Sequence, residues 1–160
     1  MAATIAGLLS KVFTEVDVIE PVEHFLTKAK ESLADVPTTT GCKLNFLLLP
    51  LQELEVKSNR YDVVWIQWCI GHLTDEDCIE FLKICAQSLK PNGMIIMKEN
   101  NARRGFVLDK EDSSITRSDS YLVELFRKAD LRLVTSSVED DLPQGLFIVR
   151  AYALLPKNVK

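Results

Sequence analysis

Gln67, Trp68 and His72 crowd the end of an apolar run, around Gly71 and directly after Val63, Val64, Trp65 and Ile66. A β-branched and aromatic run of this length reads as a buried strand. Polar side chains at the carboxyl end of a parallel strand sit where open α/β sheets bind ligands. Singly, a histidine is most often structural and a tryptophan most often core; together at a strand end they form a candidate site. Thr74 then reads as a helix N-cap, with Asp75, Glu76 and Asp77 in a first turn whose dipole favours acids. The stretch Tyr61–Asp75 is therefore read as strand, functional loop, helix. Asn100 closes the next predicted strand and is expected to face the Gln67–His72 segment, because adjacent parallel strands end at one crevice.

Two further groups carry possible chemistry. Glu20 ends a short strand, where an acid can accept hydrogen bonds from ribose hydroxyls; it also fits a solvated acid before a helix, and Pro21 suits either reading. Asp109, Asp112 and Ser114 lie in Leu108-Asp-Lys-Glu-Asp-Ser-Ser114. Folded over the crevice, that segment offers carboxylates to a cationic substrate; otherwise it is a polar loop ahead of a helix.

The elements that position these groups alternate. The sequence predicts a short helix near Ile5–Phe13, a strand over Glu15–Ile19, and a helix over Val22–Leu33 with Phe25, Leu26, Ala29 and Leu33 inward. Pro37–Gly41 reads as a loop, Leu44–Leu49 as a strand and Asp75–Leu89 as a helix. Pro91-Asn-Gly93 reads as a turn, and Met94–Met97 as a strand. A helix follows over Ser118–Ala129, with Leu122, Leu125, Phe126 and Ala129 inward. Strands near Leu131–Thr135 and Leu146–Leu154 close the chain. This order argues for an α/β fold with a mostly parallel sheet. The 160 residues fit one domain, 1–160, with a real core. The net charge of −4 argues against broad binding to nucleic acid or acidic membranes, and no apolar run approaches the roughly 18 residues that span a bilayer. Cys42, Cys69, Cys78 and Cys85 form no CxxC pair, so reduced thiols and no zinc or other metal site are expected.

The residues also carry a resemblance. Val16–Glu20, Leu51-Gln52, Tyr61–Asp75, Pro91–Gly93, Lys98–Asn100, Leu108–Ser114 and Ala151–Leu154 together resemble the protein N-terminal α-amine methyltransferase family. The resemblance runs from about Gly7 onward, and Trp-Ile-Gln-Trp…Gly-His-Leu-Thr-Asp is its most specific part. It implies a class I methyltransferase, Rossmann-like sheet and S-adenosyl-L-methionine as cofactor. The implied substrates are proteins beginning, after Met removal, with a small residue, Pro, then Lys or Arg. By the same resemblance Glu20 would hold the ribose hydroxyls, Leu51 and Gln52 would flank the adenine, and Gln67 would lie near the methionine part. Trp68 would wall the substrate channel, His72 and Asp112 would act on the amine, Asn100 and Asp109 would bind the first substrate residues, and Ser114 would support them. Phe147 stands where the family usually shows Tyr. Nucleus and cytoplasm are the implied compartments. The chemistry suits these residue types: an α-amine has an unperturbed pKa of roughly 7.7–8.0, so a modest base suffices to free its lone pair.

One departure is large. The family's domain opens with two helices and a strand ending in a Gly-rich loop, and that strand is the central one, between those ending at Glu20 and Trp68. None of this is found in the sequence, whose six glycines form no GxGxG. The expectation is a methyltransferase sheet missing its central first strand. Such a chain either keeps the family activity or is a non-catalytic remnant, unstable alone or dependent on a partner. A small-molecule methyltransferase is a third reading.

Overall fold

A parallel pair of strands occurs in each half of the chain. The computed structural model describes residues 2–139 and 145–157, and divides into two compact units, Met1–Leu54 and Glu55–Lys160. The first unit runs α1 (Ala2–Leu9), β1 (Glu15–Ile19), α2 (Glu23–Ser32), α3 (Val36–Thr40) and β2 (Lys43–Leu47), then a 3-10 turn, Leu51–Glu53. β1 and β2 pair in parallel, with Val16 opposite Leu44 and Val18 opposite Phe46. Alternation sends Val16 and Val18 into a core with Ala6, Leu26, Leu33 and Cys42. Phe25, expected inward, is 56% exposed: Leu26, Ala29 and Leu33 already complete the buried helical stripe, and Phe25 lies one residue off it.

The expected loop at Pro37–Gly41 is instead the helix α3. Thr38, Thr39 and Thr40 turn their hydroxyls back onto the carbonyls of Asp35 and Val36 at 2.7–3.2 Å. Pro37 sits in the first turn, where its missing N–H costs nothing, and left-handed Gly41 closes the end.

The second unit holds β3 (Tyr61–Gln67), α4 (Asp75–Ser88), β4 (Leu89–Asn101), β5 (Phe106–Asp109), β6 (Ser114–Arg117), α5 (Asp119–Lys128), β7 (Leu131–Val138) and β8 (Ile148–Pro156). Its main sheet has the order β3-β4-β8-β7. Only β3 and β4 are parallel; β8 pairs antiparallel with both β4 and β7. The expectation of a mostly parallel sheet is thus corrected to a mixed one. Residues 139–147 separate β7 from β8, too few for the crossover of a dozen or more residues that parallel strands require. The parallel strands also fall into two separate sheets, β1-β2 and the one begun by β3.

The expected turn at Pro91–Gly93 lies inside β4 as a bulge. Tyr61 pairs with Leu89, yet Val63 pairs with Met94, and Asn92 takes a left-handed φ of 69°. A Cβ on Gly93 would lie 2.9 Å from the Tyr61 carbonyl oxygen, so only glycine fits there. On α5, Leu122, Leu125, Phe126 and Ala129 are all buried, as the helical spacing requires.

Candidate active site

β3 ends in a backbone turn that few residues adopt. Trp68 has a φ of 49°, a left-handed conformation that costs a bulky residue roughly 1–3 kcal/mol and persists only where the surroundings enforce it. Three consecutive amides are accordingly held by two residues of β4. The Trp68 N–H donates to the Lys98 carbonyl at 3.1 Å. The Cys69 and Ile70 N–H groups both donate to Glu99 Oε1, at 2.9 and 3.3 Å. The Lys98 ammonium also lies 5.6 Å from the centre of the Trp68 ring. A 3-10 turn, Ile70–His72, follows, and then Thr74 caps α4 as expected, accepting from the Asp77 N–H at 3.1 Å.

The other side of this segment is held by Arg117. Its side chain is 2% exposed and pairs with Asp75 at 2.8 Å. The guanidinium also donates to the Ile70 carbonyl at 3.3 Å and the Leu73 carbonyl at 2.8 Å. The Tyr121 hydroxyl donates to the second Asp75 oxygen at 2.5 Å. The planar fork thus binds two carbonyls and a carboxylate at once, a task suited to arginine rather than lysine.

Arg117 belongs to a hairpin that the sequence did not reveal. β5 and β6 pair antiparallel, with Asp109 opposite Ser114. The turn between them is built from its own acids: the Glu111 N–H donates to Asp109 Oδ1 at 2.9 Å, and the Ser114 N–H to Asp112 Oδ1 at 3.0 Å. β6 packs on the Ile70–His72 turn so closely that a Cβ on Gly71 would come within 3.4 Å of the Ile115 carbonyl oxygen.

These pieces line a half-open cavity of about 220 Å³. Trp68, Gly71 and His72 line it from the first segment, Glu99 and Asn100 from β4, and Asp112 and Ser114 from the hairpin, with Ile70, Ile115 and Leu122 adding apolar surface. The structure therefore brings together Trp68, His72, Asn100, Asp112 and Ser114. Gln67 and Asp109 lie outside the lining: Gln67 Oε1 accepts from the Trp65 indole N–H at 3.0 Å, and Asp109 anchors the hairpin turn. In the first unit, Glu20 stands at the carboxyl end of β1 with one carboxylate oxygen accepting the Val22 N–H at 3.1 Å. Leu51 and Gln52 lie on the 3-10 turn after β2.

Glu99 and Arg117 are the lining residues that sequence reasoning missed. The signal for Glu99 was its phase: Ile95, Met97, Glu99 and Asn101 alternate with more exposed residues on β4, and all four are buried. Burial pushes the Glu99 carboxyl up to about 7, against the N–H groups of Cys69, Ile70 and Asn100 and the Arg117 charge, which all pull it down. Burial also pushes the Cys78 thiol up to about 11 and that of Cys85 further, so neither is a ready nucleophile.

Solved structures agree on the class: this is the fold of S-adenosylmethionine-dependent methyltransferases. One such enzyme from Leishmania major superposes with a TM-score of 0.83 at 40% identity, over 92% of this chain and 57% of that one. A Burkholderia thailandensis 1,6-didemethyltoxoflavin N1-methyltransferase with bound S-adenosylhomocysteine shares the fold at a TM-score of 0.76 and 19% identity, over 95% of this chain and 65% of that one. More narrowly, the chain belongs to the AdoMet-dependent proline di-methyltransferase family, whose model matches residues 4–155. It is 51% identical to alpha N-terminal protein methyltransferase 1 of Arabidopsis thaliana, over 92% of this chain and 54% of that protein. It is 38% identical to N-terminal Xaa-Pro-Lys N-methyltransferase 1 of Xenopus tropicalis, over 92% of this chain and 64% of that protein. The chain thus spans about half the length of the plant relative and under two thirds of the frog one.

Proposed function

We propose that this chain acts in methylation of the α-amino group of proteins that begin Xaa-Pro-Lys or Xaa-Pro-Arg after Met removal, with S-adenosyl-L-methionine as methyl donor. The observation that carries the reading is the convergence of His72 and Asp112, from two separate segments, on one cavity that Asn100 and Ser114 also line. In this reading His72 and Asp112 take the proton from the substrate ammonium, and the freed amine is the nucleophile. Asn100 and Ser114 hold the first substrate residues from the cavity wall, and the Asp109 carboxylate, outside the lining, suits a basic third position. Trp68 walls the channel. Relatives named for Xaa-Pro-Lys N-methylation support the substrate class.

The cofactor, when bound, supplies an electrophilic methyl on a sulfonium. Glu20 would hold its ribose hydroxyls, Leu51 and Gln52 its adenine, and Gln67 would lie near its methionine part. No GxGxG loop occurs in the sequence to bring backbone amides to that end. Most of the acceleration in such a displacement comes from alignment of nitrogen, methyl and sulfur, so Trp68 and the substrate-holding residues matter as much as the base.

The test is a mass measurement. The chain is incubated with S-adenosylmethionine and a Ser-Pro-Lys peptide, beside the same peptide acetylated at its N-terminus. Added methyl groups on the free peptide alone support the reading. Binding of S-adenosylhomocysteine by calorimetry without any methylation would leave the non-catalytic alternative instead.

A further inference from the structure

Glu99 is an acid, yet it is only 7% exposed and lies in the buried phase of β4. What faces it is backbone. Left-handed Trp68 turns the next two amides toward one point, and both N–H groups reach the same Glu99 oxygen. Successive N–H groups around such a turn form a nest that binds anions. Here the anion is a side chain of the neighbouring strand. Arg117 grips the Ile70 and Leu73 carbonyls further along the same segment, so the segment is held through its N–H groups by one residue and through its carbonyls by another. Trp68 and His72, which line the cavity, project from this held segment.

We infer that Glu99 is a positioning residue for the proposed reaction: its carboxylate, nested in the Cys69 and Ile70 amides, keeps Trp68 and His72 on the cavity wall. The inference rests on the proposed function only for its kinetic consequence. The carboxylate form is the effective one, because a charged acceptor draws N–H donors more strongly than a neutral one. The charged and titratable groups around it are Arg117 on β6, Asp75 and Cys78 on α4, His72 and Cys69 on the held segment, and Asp112 in the hairpin turn. Burial raises the Glu99 carboxyl to about 7, so the grip tightens as pH rises through neutrality.

The experiment follows the amide proton resonances of Cys69 and Ile70 by NMR across pH 5 to 9, in the unaltered chain, in Glu99→Gln and in His72→Gln. Both resonances should move downfield with rising pH about a midpoint near 7. His72→Gln should leave that movement in place and Glu99→Gln should abolish it while keeping the rest of the spectrum. Amides that do not titrate, or that titrate alike in Glu99→Gln, overturn the inference. This readout needs no turnover, so it stands apart from the methylation test. On Ser-Pro-Lys peptide, Glu99→Gln should lower kcat by about 10- to 100-fold, the cost of a slightly misplaced wall, with KM moved less and the neutral-pH rise in rate flattened. An unchanged kcat and pH profile in Glu99→Gln also overturns it.

Discussion

The Trp68–His72 segment is fixed from outside itself, whereas the hairpin turn that carries Asp112 is fixed from within. Lys98, Glu99 and Arg117, distant in sequence, hold the first through buried charge and a strained backbone. The hairpin turn uses acids two residues from the amides they accept, and residues 109–113 are exposed. Both deliver a side chain to one cavity. The difference separates two costs: loss of the Arg117 support should unfold structure, while damage to the turn should remove chemistry and leave the fold standing.

The largest effect expected is at Arg117. Replacing it with Ala leaves the Ile70 and Leu73 carbonyls and the Asp75 carboxylate without their shared partner. Removing one member of a fully buried ion pair costs about 3–5 kcal/mol; Asp75 is 31% exposed, which puts the loss near the low end, about 3 kcal/mol, read as a lowered urea midpoint. Arg117→Lys should recover little of it, since a lysine cannot fork to three acceptors. A loss under about 1 kcal/mol would mean the segment is not held from outside, and the contrast would fail.

Glu99 comes next, through pH. Its folded pKa of about 7 lies above the ordinary 4.5, so the native state holds a proton more tightly than the unfolded one. Its stabilising contribution is fully present below pH 4.5 and is lost as pH rises through 7. Other carboxylates superimpose their own slopes, so the quantity to measure is the difference in stability between Glu99→Gln and the unaltered chain at several pH values. The glutamine form should gain relative stability from about pH 4.5 to 7, by at most roughly 3 kcal/mol. A flat difference would show that Glu99 is not desolvated. The ionised acid therefore opposes folding at neutral pH while gripping the loop, as expected where a site keeps a group that stability alone would discard.

Local chemistry was the legible part of this chain. The Thr74 cap needs only its own helix, and the α5 stripe needs only helical spacing, so both followed from residue types. The β5–β6 hairpin was not legible because its strands are four residues each and its turn is polar; they exist by docking on the Ile70–His72 turn and the end of β4. The same long-range docking hid Arg117, which in sequence merely precedes a helix. Among the candidate residues, Trp68, His72, Asn100, Asp112 and Ser114 share one cavity because strand ends and the hairpin converge there. Glu99 was hidden by its type: an acid in a buried strand phase looks like an error until the nest facing it is seen.

Asp112 should show the smallest change in stability and, beside it, a large change in rate. The residue is exposed, and Asn at this position keeps an oxygen for the Ser114 N–H. Asp112→Asn should therefore hold stability within about 0.5 kcal/mol, the usual range for surface changes. Losing a general base should lower methyl transfer to Ser-Pro-Lys peptide by about 10²–10⁴-fold at pH 7. That deficit should shrink toward pH 9, where the substrate α-amine, with an ordinary pKa of roughly 7.7–8.0, loses its proton unaided. A deficit that stays constant with pH would make Asp112 a binding group rather than a base. An unfolding cost as large as that of Arg117→Ala would mean that the turn, too, is held by more than its own acids.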